Sequence, residues 1–220
     1  MKVDLRLYAL VDPQRASRHA LPDLAAQVAA GGATLVQLRD KLRDTRTMIV
    51  EARAIRAALA PYHVPLLIND RVDVALASGA EGVHVGWDDM DPRDARRLLG
   101  ERAIIGLSIK TLEQAQAAPV EILDYVAIGG VFVTMSKNNP DPPIGLAGLR
   151  TIASAIRDRA PDMPIGAIAG IEQGNAADVI AAGADGVAVI SALSFAPNPQ
   201  NAARKLRTAV DAALEKRTSS

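Results

Sequence analysis

The residues best suited to chemistry stand in short polar clusters, each directly after a short apolar run. The first is QLRDK, residues 37–41. Side chains alternate along a strand, so Gln37, Arg39 and Lys41 project to one side and Leu38 to the other. If that side faces a pocket, two cations and an amide converge as an anionic ligand would require; if not, they form a charged loop in solvent. Asn69 and Asp70 follow the next run, and Asp88, Asp89 and Asp91 follow the one after it. Two carboxylates from these adjacent strand ends could share a hard cation such as Mg²⁺, which takes one or two protein carboxylates plus water and phosphate oxygens. Helix capping competes for these acids. Asp70 could cap a helix starting at Arg71, and Asp91 before Pro92 is well placed as an N-cap; capping accounts poorly for Asp89. Ser108 ends a further run, where it either meets a ligand or satisfies a turn, while Thr111 and Gln114 have the spacing of a capping box.

The longest connection is GGVFVTMSKNNPDPPIGL, residues 129–146, with Thr134, Ser136 and Lys137 as its polar donors. Long connections of this kind in compact domains are usually functional, and a ligand-covering loop is expected here. Gly170 and the Ile190-Ser191 amides follow the last two apolar runs, where backbone N–H groups can approach an anion. Close packing is the alternative for Gly170. His19 and His63 fall in loops, and His84 within a strand reads as structural. No Ser/His/Asp, Cys/His or histidine-based metal spacing is present, so covalent and zinc mechanisms have no residues to support them.

The elements that must position these clusters repeat. LASGAEGVHV at 76–85 and IAAGADGVAV at 180–189 match at an offset of 104 residues, and AAGGATLVQL at 29–38 lies 47 before the first with Gly32 set on Gly79. Each copy reads as the end of an Ala-rich helix, a Gly suited to a helix C-terminus and a short β-branched strand. Strands are expected at Leu5 to Val11, Thr34 to Leu38, Pro65 to Ile68, Gly82 to Val85, Ile104 to Leu107, Tyr125 to Ile128, Ile165 to Ile168 and Gly186 to Val189. Helical patterns such as Thr45 to Ala60 and Leu146 to Arg159 separate them. Eight βα units predict an α/β fold, a (β/α)₈ TIM barrel, as a single domain over 1–215 with a frayed tail at 216–220. An open doubly wound sheet has no reason to repeat at this spacing, and no Gly-rich dinucleotide turn follows the first strand.

Composition narrows the partners. The 220 residues carry 25 Lys+Arg against 25 Asp+Glu, which argues against a nucleic-acid partner. They are 49% hydrophobic with six aromatics, so the core must be aliphatic. Zero cysteines point to a reducing cytoplasm, and no apolar run reaches membrane-span length, so no membrane partner is expected. A homo-oligomer is compatible with the sequence, although no apolar stripe marks an interface.

The blocks QLRDK at 37, LLINDRVDVA at 66, GVHVGWDDM at 82, IGLSIKT at 105, DYVAIGGVFVTMSK at 124, PIGAIAGI at 164 and GADGVAVISAL at 183 together resemble the thiamine phosphate synthase family. The resemblance covers nearly the whole chain in order. It implies a (β/α)₈ barrel that joins a hydroxymethylpyrimidine diphosphate to a thiazole phosphate with Mg²⁺, releasing pyrophosphate. Carried over by motif, it assigns Gln37, Leu38, Arg39, Asp40, Lys41, Asn69, Ser108 and Lys137 to the pyrimidine diphosphate, with Arg39, Lys41, Ser108 and Lys137 also as the catalytic residues. It assigns Asp70 and Asp89 to Mg²⁺, and Thr134, Met135, Ser136, Gly170, Ile190 and Ser191 to the thiazole phosphate. Four positions depart from the usual pattern: Trp87 for Gln, Gly130 for Pro, Ser136 for Thr and Ala169 for Gly. Gly130 is expected to loosen the start of the long loop, and Trp87 to stack on a substrate ring or shield the metal. Two rivals remain, a thiazole phosphate isomerase of the same fold and a non-catalytic barrel that binds thiazole or thiamine phosphate.

Overall fold

A computed structural model describes residues 3–16, 19–134, 136 and 141–219. Strands β1 (Leu7–Val11), β2 (Leu35–Leu38), β3 (Leu66–Asn69), β4 (Gly82–Val85), β5 (Ile104–Ile109), β6 (Tyr125–Ile128), β7 (Ile165–Ile168) and β8 (Gly186–Val189) form a closed parallel barrel in chain order. Helices α1 (Leu21–Ala30), α2 (Thr45–Leu59), α3 (Val72–Ser78), α4 (Pro92–Leu99), α5 (Leu112–Ala117), α6 (Gly145–Arg159) and α7 (Ala176–Ala181) connect successive strands, and α8 (Ser191–Ser194) and α9 (Pro199–Thr218) follow β8. The strands agree with the sequence reading to within two residues. β5 runs on to Ile109 because Ser108 and Ile109 keep register with Ala127 and Ile128 of β6. Helix starts follow local chemistry: Asp44 accepts the Thr47 N–H at 3.0 Å, and Asp91 accepts the Arg93 N–H at 2.7 Å ahead of Pro92.

Alternation divides each strand between two cores. Leu7, Ala9 and Val11 of β1, Val36 and Leu38 of β2 and their counterparts pack outward against the helices. Tyr8, Leu10, Leu35, Leu67, Tyr125, Ala127 and Ala188 fill the barrel interior. Gly106 makes room for the Tyr125 ring. A Cβ on Gly106 would lie 2.0 Å from Tyr125 Cζ.

The repeat acquires a physical meaning at the N-terminal end of the barrel. Thr34, Glu81, Asp124 and Asp185, each preceding an even-numbered strand, accept the N–H of Leu7, Leu66, Ile105 and Ile165 at 3.1, 2.9, 2.8 and 2.9 Å. The backbone N–H of each returns a bond to the carbonyl of the same strand residue. Three of these side chains also receive an arginine from a preceding helix: Arg56 to Glu81, Arg96 to Asp124 and Arg157 to Asp185. The repeated glycines Gly32, Gly79 and Gly183 sit at φ +104, +73 and +113, which turn the chain into these positions.

Residues 216–218, expected within a frayed tail, are helical. α9 continues through Thr218, and Arg217 donates to the carbonyls of Ile180 and Ala184 at 3.2 and 2.7 Å and to Asp185 at 2.8 Å. These partners satisfy a guanidinium that the sequence alone leaves in solvent.

Candidate active site

The C-terminal strand ends open into a cavity with about 920 Å³ of empty space, its mouth included. Among the residues singled out in the sequence, Gln37, Arg39, Asn69, Ser108, Thr134, Ser136, Gly170, Ile190 and Ser191 line it. Met135 and Lys137 lie outside the described residues. Leu38 does not line the cavity: alternation between inward Gln37 and Arg39 turns it outward into the helix layer, where it is buried. Asp40 is also buried away from the cavity, and its Oδ1 accepts the N–H groups of Leu42 and Arg43, both at 3.1 Å, holding the loop that carries Lys41.

Two charge pairs follow the strand ends; of their members only Arg39 lines the cavity, and Asp12, Lys41 and Asp70 do not, nor does Asp89. Arg39 donates to Asp12, a buried acid directly after β1, and Lys41 donates to Asp70. Asp70 does not cap a helix, since the residue before α3 is Arg71 and Asp70 itself sits at φ +60. Burial pushes its carboxyl above the ordinary carboxylate range; neighbouring Asp89 adds to the rise and Lys41 opposes it. Asp89 Oδ2 accepts the Gly86 N–H at 2.7 Å, which fixes the turn after β4. Trp87 is 43% exposed and lies outside the cavity lining, so it neither forms a wall of the site nor stacks inside it.

The cavity floor is a hydrogen-bonded row. Gln37 Nε2 donates to Tyr8 Oη, which lies 2.9 Å from Tyr125 Oη; His84 Nδ1 lies 2.7 Å from Tyr125 Oη and its Nε2 2.9 Å from Ser108 Oγ. Burial raises both phenols well above their ordinary pKa, so they keep their protons. Two buried side-chain atoms of cavity-lining residues have no hydrogen-bond partner, Gln37 Oε1 and Asn69 Nδ2. A buried acceptor and a buried donor left unpaired are costly unless a ligand completes them.

Backbone shapes the remaining wall. Gly170, at φ +65, has no space for a side chain, because a Cβ would lie 2.5 Å from Val133 O and 2.7 Å from Phe132 Cβ. Gly170 therefore both lines the cavity and admits the loop, so the two readings of it are compatible. Gly130 sits at φ +74, a value closed to proline. The loop start it opens is pinned rather than loose: Gly130 O and Val131 O accept from Ile144 and Gly145 at 2.9 and 3.0 Å, while Val131 and Phe132 donate to Ile168 O and Ala169 O.

Sequence reasoning passes over Tyr8, Tyr125, Asp12 and Lys110, and treats His84 as structural. Inward parity would have found most of them. Tyr8 shares the parity of Leu10, His84 that of Gly82, and Lys110 that of Ser108.

Residues 7–193 match the family model described as thiamine monophosphate synthase. A thiamine-phosphate synthase of Agrobacterium fabrum is 56% identical over 216 residues, covering 98% of each chain. One of Albidiferax ferrireducens is 46% identical over 94% of this chain and 93% of that one. The solved thiamine phosphate pyrophosphorylase of Pyrococcus furiosus superimposes with TM-score 0.84 at 35% identity, over 97% of this chain and 98% of that one. A 3-hexulose-6-phosphate synthase structure, at TM-score 0.63 and 18% identity, shares the fold alone. With likeness of this extent spanning the barrel and every block that lines its mouth, the chain belongs to the thiamine monophosphate synthase family.

Proposed function

We propose that this transferase joins 4-amino-2-methyl-5-(diphosphooxymethyl)pyrimidine to 4-methyl-5-(2-phosphooxyethyl)thiazole, or its carboxylated form, giving thiamine phosphate and pyrophosphate. The observation that carries the reading is the pair of unsatisfied atoms on the floor. Gln37 Oε1 accepts from the exocyclic amine and Asn69 Nδ2 donates to an acceptor on the same substrate, in a cavity that Arg39 also lines and with Lys41 two residues further along the same loop. The amino-pyrimidine thus sits deep, with its diphosphate toward the rim. Thr134, Ser136, Gly170, Ile190 and Ser191 form the opposite wall, where the thiazole phosphate binds.

The pyrimidine methylene C–O bond breaks first, and the thiazole nitrogen captures the resulting cation. That nitrogen is already a nucleophile and needs no base. The demand falls on departure of the diphosphate, whose growing charge Arg39, Lys41 and Lys137 meet in a pocket shielded from water. Two neighbouring carboxylates near the strand ends, Asp70 and Asp89, are the oxygen donors that would hold Mg²⁺, with water and diphosphate oxygens completing its shell. Bound there, the ion would neutralise charge on the leaving diphosphate. The cysteine-free composition supports a cytoplasmic site of action, and no helix among the described residues is long and apolar enough to cross a membrane.

The test is to mix the protein with both substrates and Mg²⁺ and measure pyrophosphate and thiamine phosphate together. Stoichiometric products that disappear with a chelator are expected; no product, or product indifferent to chelation, overturns the reading.

A further inference from the structure

The orientation of the Gln37 amide sets the direction of the floor row. Gln37 Nε2 can only donate, so Tyr8 Oη accepts there and its own hydrogen goes to Tyr125 Oη. Tyr125 in turn has its hydrogen for His84 Nδ1, which must be unprotonated to accept it. The ring proton then stands on Nε2 and is donated to Ser108 Oγ, leaving the Ser108 hydrogen for the cavity. We propose that Tyr8, Tyr125 and His84 form a one-way hydrogen-bond relay that holds His84 as the neutral Nε2–H tautomer and turns the Ser108 hydroxyl hydrogen toward the bound substrate.

The geometry is built to keep this order. Tyr125 is fully buried, its ring lies at 24° to His84 with centroids 5.6 Å apart, and it meets Tyr8 edge-on at 85° and 5.8 Å. Gly106 leaves the space that the Tyr125 ring requires. Reversing the Tyr8–Tyr125 or the Tyr125–His84 bond alone would strand a hydrogen on a buried phenol, and reversing the His84–Ser108 bond alone would leave the ring without a proton, so the row reverses as a whole or not at all. Its two ends reach the same ligand. Gln37 Oε1 presents an acceptor and Ser108 a donor, and the relay ties the orientation of one to the other. Tyr8, Tyr125 and His84 are thus positioning residues, acting through Gln37 and Ser108. This rests on reading the floor as the pyrimidine diphosphate site, and it deepens that reading by making the amide and the hydroxyl a coupled pair.

Two measurements test it. In protein labelled with ¹⁵N-histidine, long-range ¹H–¹⁵N correlation spectra report which ring nitrogen is protonated, with the His84 signal identified by its loss in His84→Gln. Nε2–H is expected; Nδ1–H or a doubly protonated ring overturns the relay. In Tyr125→Phe both His84 tautomers should appear, and KM for the pyrimidine diphosphate should rise roughly tenfold, as expected for one lost hydrogen bond, with KM for the thiazole phosphate unchanged. A folded Tyr125→Phe with the parent tautomer and the parent KM values also overturns it. Tyr8→Phe supplies an independent variant: it should keep the Nε2–H signal yet raise the same KM, and an unchanged KM there counts against the relay. The spectrum needs no turnover. Nε2–H in a protein that makes no thiamine phosphate would sink the functional reading and leave the relay standing; normal turnover with Nδ1–H would do the reverse.

Discussion

At φ +98, Ala169 holds a backbone conformation that its methyl group disfavours, at the point where β7 enters the cavity wall. Ala169→Gly should therefore raise stability by about 1 kcal/mol, seen as an increase of roughly 2–4 °C in the thermal midpoint; a decrease would show that the strain is illusory. Asp89 has two separable jobs. Asp89→Asn keeps an acceptor for the Gly86 N–H but removes the charge beside Asp70. Turnover should fall by roughly 10²–10³, the usual effect of losing a preorganised charge contact, while the urea midpoint stays near that of the parent. Tyr8 and Tyr125 make an alkaline prediction. Their folded pKa values lie above the unfolded value of about 10, so the stability they contribute is whole below that pH and is lost as pH rises through the folded values. Denaturation midpoints should fall steadily above about pH 10, with less of a fall in Tyr8→Phe.

At the scale of elements, the two ends of the strands do different work. The acids that bond back to the preceding strand at the N-terminal end hold neighbouring βα units in register, far from the cavity. Asp185 is the most heavily used, serving Ile165 N–H, Arg157 and Arg217 together. Asp185→Ala should cost about 2 kcal/mol in urea unfolding, because two guanidiniums lose their partner, yet leave kcat and KM unchanged. Loss of activity without loss of stability would be inconsistent with that division. The C-terminal ends carry the inward polar residues, and there β5 differs from its neighbours by running two residues further than the apolar pattern suggests, which seats Ser108 within a strand rather than in a turn. Ser108 is thereby held more firmly than a loop residue would be.

For the whole molecule, closure depends on β8 pairing with β1 and on α9 lying across the seam between the last units and the first. Deleting 216–220 removes Arg217 and should destabilise by about 1–2 kcal/mol, whereas deleting 219–220 should be neutral; equal effects would show that Arg217 does not brace the seam. Much of this architecture was legible beforehand. The spacing of β-branched runs and the repeat around Gly32, Gly79 and Gly183 determined the strands, the barrel and the ends at which polar residues collect, since those features depend on local backbone preference and on alternation. The placement of Gln37, Arg39, Asn69 and Ser108 at that end was legible for the same reason. The hydrogen-bonded floor was not. Tyr8, His84 and Tyr125 come from three strands separated by up to 117 residues, and each alone reads as an ordinary core residue. Only closure of the barrel brings their polar atoms within bonding distance, and burial then forces them to satisfy one another, which no periodicity along a single strand can reveal.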